Sequence, residues 1–309
     1  MNIIFFGSSQ FAQSSLAALL ERGYKVSCVV TQPDRKKGRG MHLEPTSVKA
    51  LAIEHGLEVY QPDDINTNES GSFLNKFKPN LFVVVAYGQI LSEEVLKIPS
   101  VFSINAHASL LPKYRGASPI NRALINSEVK TGVTIIKLTK NMDAGPIIAQ
   151  EEILIKNEDD SIILGEKLSK LSAELLIKAI IAIENNKYEL LEQDENKVSF
   201  APKLKKDDGL INWSKSANQI NDLIRGCLPW PGAFTHYNSK LLKIFRAEVG
   251  SIQNLDLPGK IIEISKEGLR VSTSKDSLII KELQIEGKRR MKVEEFIAGH
   301  KICVGEMLK

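Results

Sequence analysis

The chain has 309 residues, of which 43% are apolar and 25% charged, with a formal net charge of +4. The length exceeds what one hydrophobic core usually fills, so two domains are expected, and the composition excludes disordered and fibrous chains. No apolar run approaches the roughly 20 residues of a membrane helix, and the opening MNIIFFGSSQ lacks the basic start and cleavage site of a signal peptide, so a cytoplasmic location is expected.

In chain order, NIIFFG (2–7) reads as a buried strand and FAQSSLAALLERG as a helix stopped by Gly23. KVSCVVT (25–31), LEVYQP (57–62), LFVVVAYG (81–88), VFSINAH (101–107) and GVTIIKLT (132–139) follow as strands. Strands this rich in Val and Ile, separated by helical stretches, predict a parallel α/β sheet covered on both faces. Ligands of such a sheet bind where the strands end, and Gly7, Tyr87–Gly88 and Asn105–His107 all sit at strand ends. Gly7 leaves room for a ligand near the backbone. However, no GxGxxG follows and no acidic residue closes the second strand, which argues against NAD; GRG at 38–40 lacks the GK[ST] of a Walker loop.

A helix is predicted over 161–185, capped by Asp160 or Ser161, with Leu164, Leu168, Leu171 and Leu175 as its apolar stripe. The stretch after it has no helical stripe and ends in a Lys/Asp-rich tract, so it reads as a linker. Beyond lie short alternating runs: LINW, AFTHYN, KLLKIFRAEV, GKIIEIS, GLRVSTS and SLIIKELQI. One helix, about 216–225 and closed by Gly226, interrupts them. These runs predict a small antiparallel sheet or barrel. Trp213 and Trp230 are read as core rather than as base-stacking platforms, and His42, His55, His236 and His300 as structural or surface residues.

Charge is unevenly spread. Residues 201–309 carry 19 Lys and Arg against 13 Asp and Glu, and residues 1–200 carry 22 against 24. A basic back third fits a polyanionic partner or plain solubility. Cys28, Cys227 and Cys303 form no CxxC pair, which leaves no disulfide framework or thiolate zinc site and predicts three buried side chains.

The chemistry centres on NAHASLLPKYRG (105–116). Asn105 and His107 share one strand face, and either a polar strand end or a reactive pair fits two such residues. The SLLP turn offers Leu110 and Leu111 as pocket walls. NMDAGPII (141–148) returns Asp143 in a Gly/Pro loop, where an Asx turn is the plain alternative. Together they supply an amide donor, an imidazole and a carboxylate. There is no GxSxG and no cysteine beside them, and one His with one Asp falls short of a metal-ligand set. The three groups suit direct acyl transfer, with two donors for an oxyanion and a carboxylate to help remove an amine's proton.

The pattern NxHxSLLPxYRG, with MDAGPI downstream, resembles the formyltransferase family that uses 10-formyltetrahydrofolate. TQPDRKKGRG (31–40) and IRGCLPWPGAF (224–234) narrow the resemblance to methionyl-tRNA formyltransferases. It implies a Rossmann-like formyltransferase domain (1–189), a basic linker (190–208) and an OB-like tRNA-binding barrel (209–309). Asn105, His107 and Asp143 would be catalytic. Ser109, Leu110, Leu111 and Pro112 would border the folate, and Tyr87, Gly88, Gln89, Ile90 and Leu91 would line its pteridine pocket. Arg39, in a loop with Arg35, Lys36 and Lys37, resembles the arginine that meets the acceptor end of initiator tRNA; taken alone, the loop is a solvated basic turn. Lys203, Lys205 and Lys206, with Lys288, Arg289 and Arg290, are the candidate phosphate contacts. The resemblance thus implies 10-formyltetrahydrofolate as co-substrate, initiator methionyl-tRNA as partner, no metal and a monomer. Two alternatives are a sister enzyme formylating a sugar-nucleotide or purine-precursor amine, and a non-catalytic RNA-binding protein.

Overall fold

A computed structural model describes residues 1–37, 42–251 and 256–309, and for residues 36, 37 and 42 the backbone alone. The chain divides into two compact units, one formed by 1–119, 130–154 and 165–201, the other by 120–129, 155–164 and 202–309. The segment 190–208 is therefore divided between them, its first part belonging to the first unit.

The first unit runs β1 (Asn2–Gly7), α1 (Gln10–Glu21), β2 (Lys25–Val30), a small hairpin β3 (Arg35–Lys37) and β4 (His42–Glu44), α2 (Ser47–Glu54) and β5 (Val59–Tyr60). It continues through α3 (Asn68–Asn75), β6 (Leu81–Val85), α4 (Glu93–Leu96) and β7 (Phe102–His107). After α5 (Pro119–Ile125), almost all of which is in the second unit, come β8 (Lys130–Lys137), β9 (Ile147–Leu154) and α6 (Ser161–Glu184). The sheet order is β5-β2-β1-β6-β7-β8-β9. The first five strands are parallel, with the reversal of direction of winding falling between β1 and β6. That reversal opens a crevice at the carboxyl ends of the strands.

Two features differ from the expectation of a parallel sheet. β8 runs antiparallel to β7, and β9, which the sequence reading does not contain, is antiparallel to β8. A loop of nine residues between β8 and β9 is too short for the crossover that a parallel pair requires. The core packs Phe6, Phe82, Val84, Leu74, Val95 and Tyr87 beneath one face. Each large apolar side chain fully buried there stabilises the fold by about 1.5–3 kcal/mol. In α6, Leu164, Leu168, Leu171 and Leu175 are all buried, and the Asp160 carboxylate accepts the free N–H groups of Ile162 and Ile163.

The second unit holds α7 (Ala217–Gly226), β10 (Ala233–Tyr237), β11 (Lys240–Gly250), β12 (Ile261–Ser265), β13 (Gly268–Ser272), β14 (Ser277–Ile285), β15 (Met291–Lys292) and α8 (Val293–Gly299). Ser216 and Gln219 cap α7 reciprocally. The antiparallel path β10-β11-β14-β13-β12 leaves β10 and β12 as its two ends. The C-terminal segment bridges them: Lys309 exchanges backbone hydrogen bonds with His236, while Glu306 and Leu308 bond to Ile261 and Gly259. This closes the sheet on itself and covers both edges, as a barrel does.

LINW makes a single bridge from Leu210 to Phe234 rather than a strand. Trp213 is core, donating from Nε1 to Thr235 at 3.0 Å, but Trp230 is 54% exposed, contrary to the core reading. Cys28 and Cys227 are buried, and burial pushes each thiol up to about 12. Cys303 is exposed, because it lies in the irregular tail segment after α8. Among the described residues no helix is long and apolar enough to cross a membrane.

Candidate active site

The site lies within the first unit and is built on the end of β7. Alternate residues of a strand face the same way, so Asn105 and His107 emerge together. Asn105 lies beside Val84 of β6 and Ile136 of β8, and His107 beside Thr134. Asn105 has a ladder on both sides and His107 one on the β8 side, so the backbone beneath the pair cannot shift without breaking hydrogen bonds. At the same edge Gly7 ends β1 next to Val85. A Cβ at Gly7 would stand 2.7 Å from the Phe5 ring and 2.9 Å from Ala12, so only glycine fits.

Asp143 arrives from the loop between β8 and β9. Its backbone is left-handed, with φ 52°. Two residues later Gly145 passes so close to the Lys137 carbonyl that any Cβ would collide with it. This tight turn folds the carboxylate back over β7. Asn105 Nδ2 stands 3.4 Å from Asp143 Oδ1, and His107 Nδ1 stands 3.6 Å from Oδ2. Both are longer than a settled hydrogen bond. The Gly116 N–H, by contrast, donates to Oδ2 at 2.9 Å. The carboxylate is therefore anchored by the backbone, while the Asn105 amide and the His107 Nδ1 stand beside it without a tight bond.

His107 is 6% exposed, and its Nε2 is 2.9 Å from the Tyr114 carbonyl. A carbonyl only accepts, so Nε2 carries a proton and Nδ1 is the ring atom turned to Asp143. Around the SLLP turn, the Thr134 hydroxyl donates to Ser109 O and accepts from Leu111 N and Gln150 Nε2. One hydrogen and two lone pairs are all used. Gln150 also donates to the Leu111 carbonyl. Ser109 is buried with its hydroxyl on Lys113 O, and Leu111 is buried too, leaving Leu110 and Pro112 half-buried. Thr134 and Gln150 are supports that the sequence reading lacks. They face each other in the β8–β9 register, so recognising β9 was the missing signal.

Among the strand-end residues after β6, Tyr87 is 2% exposed and turned into the core, edge-on to Phe6. Burial pushes its phenol well up. Gln89 spends its amide on Ile65 N–H and the Asp63 carbonyl. Leu91 is buried, while Gly88 and Ile90 are exposed.

The basic candidates are dispersed. Arg35 is exposed on β3; the Lys36 and Lys37 side chains and all of Arg39 lie outside the described residues. Lys203, Lys205 and Lys206 are exposed, as are Lys288, Arg289 and Arg290. Arg289 pairs with Glu295, and Arg290 pairs with Glu282 and lies 4.5 Å over the Phe245 ring. Among the described residues no three His, Cys, Asp or Glu side chains gather as metal ligands.

Comparison with known proteins now adds to the geometry. The formyl transferase family matches residues 1–180, and the formyl transferase C-terminal domain matches residues 203–301. The methionyl-tRNA formyltransferase of Geotalea uraniireducens strain Rf4 is 43% identical over 308 residues, covering 100% of this chain and 98% of its own. That of Desulforamulus reducens is 42% identical over 309 residues, with coverage of 100% and 98%. Among solved structures, an N-formyltransferase from Helicobacter canadensis, in complex with folinic acid and dTDP-3-aminofucose, superimposes with a TM-score of 0.68. It covers 90% of this chain and 97% of its own at 23% identity, and so speaks for the fold alone. A full-length match at this identity, on a strand-end site of this composition, means that the chain belongs to the methionyl-tRNA formyltransferase family.

Proposed function

We propose that the chain transfers the formyl group of 10-formyltetrahydrofolate to the amino group of methionine on initiator methionyl-tRNA, as a cytoplasmic monomer. The observation that carries this reading is the convergence of the Asn105 amide and His107 Nδ1 on one Asp143 carboxylate at the end of β7. The neutral amine attacks the formyl carbon, forming a C–N bond while the carbonyl electron pair moves to oxygen. Asn105 Nδ2 and a protonated His107 Nδ1 donate to that oxyanion. Asp143 accepts the proton leaving the attacking nitrogen, directly or through a water. The bond from carbon to N10 then breaks and N10 takes up the proton, which gives tetrahydrofolate and formylmethionyl-tRNA with no net proton released.

His107 Nε2 is occupied by the Tyr114 carbonyl, so only Nδ1 serves the reaction. Leu110 and Pro112 offer apolar surface to a flat pteridine, and Gly88 with Ile90 offers a second exposed edge. The exposed lysines supply phosphate contacts for the tRNA. Because protonated amine has no lone pair, the rate falls as pH drops below the pKa of the aminoacyl amine.

Incubation with 10-formyltetrahydrofolate and a panel of amines, comprising Met-tRNA, a 3-amino-sugar nucleotide and glycinamide ribonucleotide, tests the proposal. Formylation of Met-tRNA is expected. Formylation of the sugar nucleotide or ribonucleotide alone, or of no amine, overturns the reading.

A further inference from the structure

We propose that Gln193 is a positioning residue for this reaction, holding the Asp143 turn so that the carboxylate faces Asn105 and His107. The inference rests on the site reading above. Gln193 lies in a stretch with no apolar periodicity, yet it is only 8% exposed. Leu191, two residues before it, exchanges both backbone hydrogen bonds with Ile147 at the start of β9. This pairing delivers the Gln193 side chain to the β8–β9 loop.

There the amide is fully used. Nε2 donates to the carbonyls of Asp143 and Gly145, at 2.8 and 2.7 Å. Oε1 accepts from Arg115 Nε and Nη2, at 3.0 and 2.8 Å. Arg115 is itself buried, and its Nη1 and Nη2 also donate to Glu195. That guanidinium holds the Glu195 carboxyl below the usual carboxylate range. The backbone of Arg115 is pinned by Ser199 O and Ala201 N, and the next peptide N–H, that of Gly116, holds Asp143 Oδ2.

The result is a closed circuit. Asp143 is gripped at its carboxylate by Gly116 and at its carbonyl by Gln193, and Arg115 joins the two grips. Two carbonyls of the left-handed turn converge on one point, and a double donor there satisfies both and holds the turn in place. An amide supplies two N–H groups toward the loop and an acceptor toward the guanidinium. No other neutral side chain of that length does both.

The test combines Gln193→Met, which keeps volume without donors, and Gln193→Glu, which keeps the partner for Arg115 but turns lone pairs toward the carbonyls. Each is expected to lower kcat about ten- to a hundredfold with KM for both substrates within about twofold. Because Gln193 acts through Asp143, adding Gln193→Met to Asp143→Asn is expected to change turnover by less than about twofold. Wild-type turnover in Gln193→Glu, a loss confined to KM, or an undiminished loss on the Asp143→Asn background overturns the clamp. Wild-type turnover in Asp143→Asn alone instead overturns the site reading, which keeps the two failures apart.

Discussion

The polar groups at the end of β7 and the basic residues of the C-terminal third are held in opposite ways. Asn105, His107 and Asp143 sit where two ladders, a left-handed turn and a backbone N–H fix each side chain. Lys203, Lys206 and Lys288 are exposed, and Arg289 and Arg290 are tied to the surface carboxylates of Glu295 and Glu282. The first set is over-determined, so one change there removes an interaction that nothing replaces. The second set lies in solvent, where any one ion pair contributes little and is screened by salt.

The comparison breaks or sharpens at four positions. The largest effect is expected for Asn105→Ala. Loss of one oxyanion donor costs about 2.7–4 kcal/mol of barrier, a hundredfold or more in turnover. Folate binding, followed by fluorescence titration, should change little, and equal loss of both would make the residue structural. Next is Gly145→Ala. The added methyl meets the Lys137 carbonyl, which should cost about 1–3 kcal/mol of stability through forced backbone movement. Chemical denaturation reads this directly, and an unchanged midpoint would mean that the turn is softer than described. Smallest are Lys206→Ala and Lys288→Ala. Each is expected to raise KM for tRNA only a few-fold, and each removed phosphate contact should flatten the dependence of log KM on log salt by about 0.7–0.9. A loss as large as that of Asn105→Ala would erase the contrast.

Much of this site is legible in the sequence because its first pair obeys a local rule. Two-residue spacing on a strand places Asn105 and His107 on one face whatever the rest of the chain does, and the apolar runs around them identify the strand. Asp143 is legible only as an acid in a Gly/Pro loop; its left-handed turn accepts a hydrogen bond from Gln193, fifty residues away. β9 is not legible because Gln150, Glu151 and Glu152 interrupt its apolar residues, as befits a strand at the sheet's edge. The direction of β8 is not written in composition at all, since GVTIIKLT suits either orientation. Tyr87 illustrates the reverse: a strand-end aromatic reads as a pocket wall, but β6 ends at Val85, Ala86 turns left-handed with φ 45°, and the Tyr87 ring packs against Phe6 on the face of Phe82 and Val84.

The bond from His107 Nε2 to the Tyr114 carbonyl has a kinetic consequence. An imidazole usually serves as a two-ended relay, taking a proton at one nitrogen and releasing it at the other. Here the far end is sealed against the peptide chain, so any proton gained at Nδ1 departs by the way it came. The proton that passes from the attacking amine to N10 therefore cannot be relayed through the ring and travels by way of Asp143 on the substrate side.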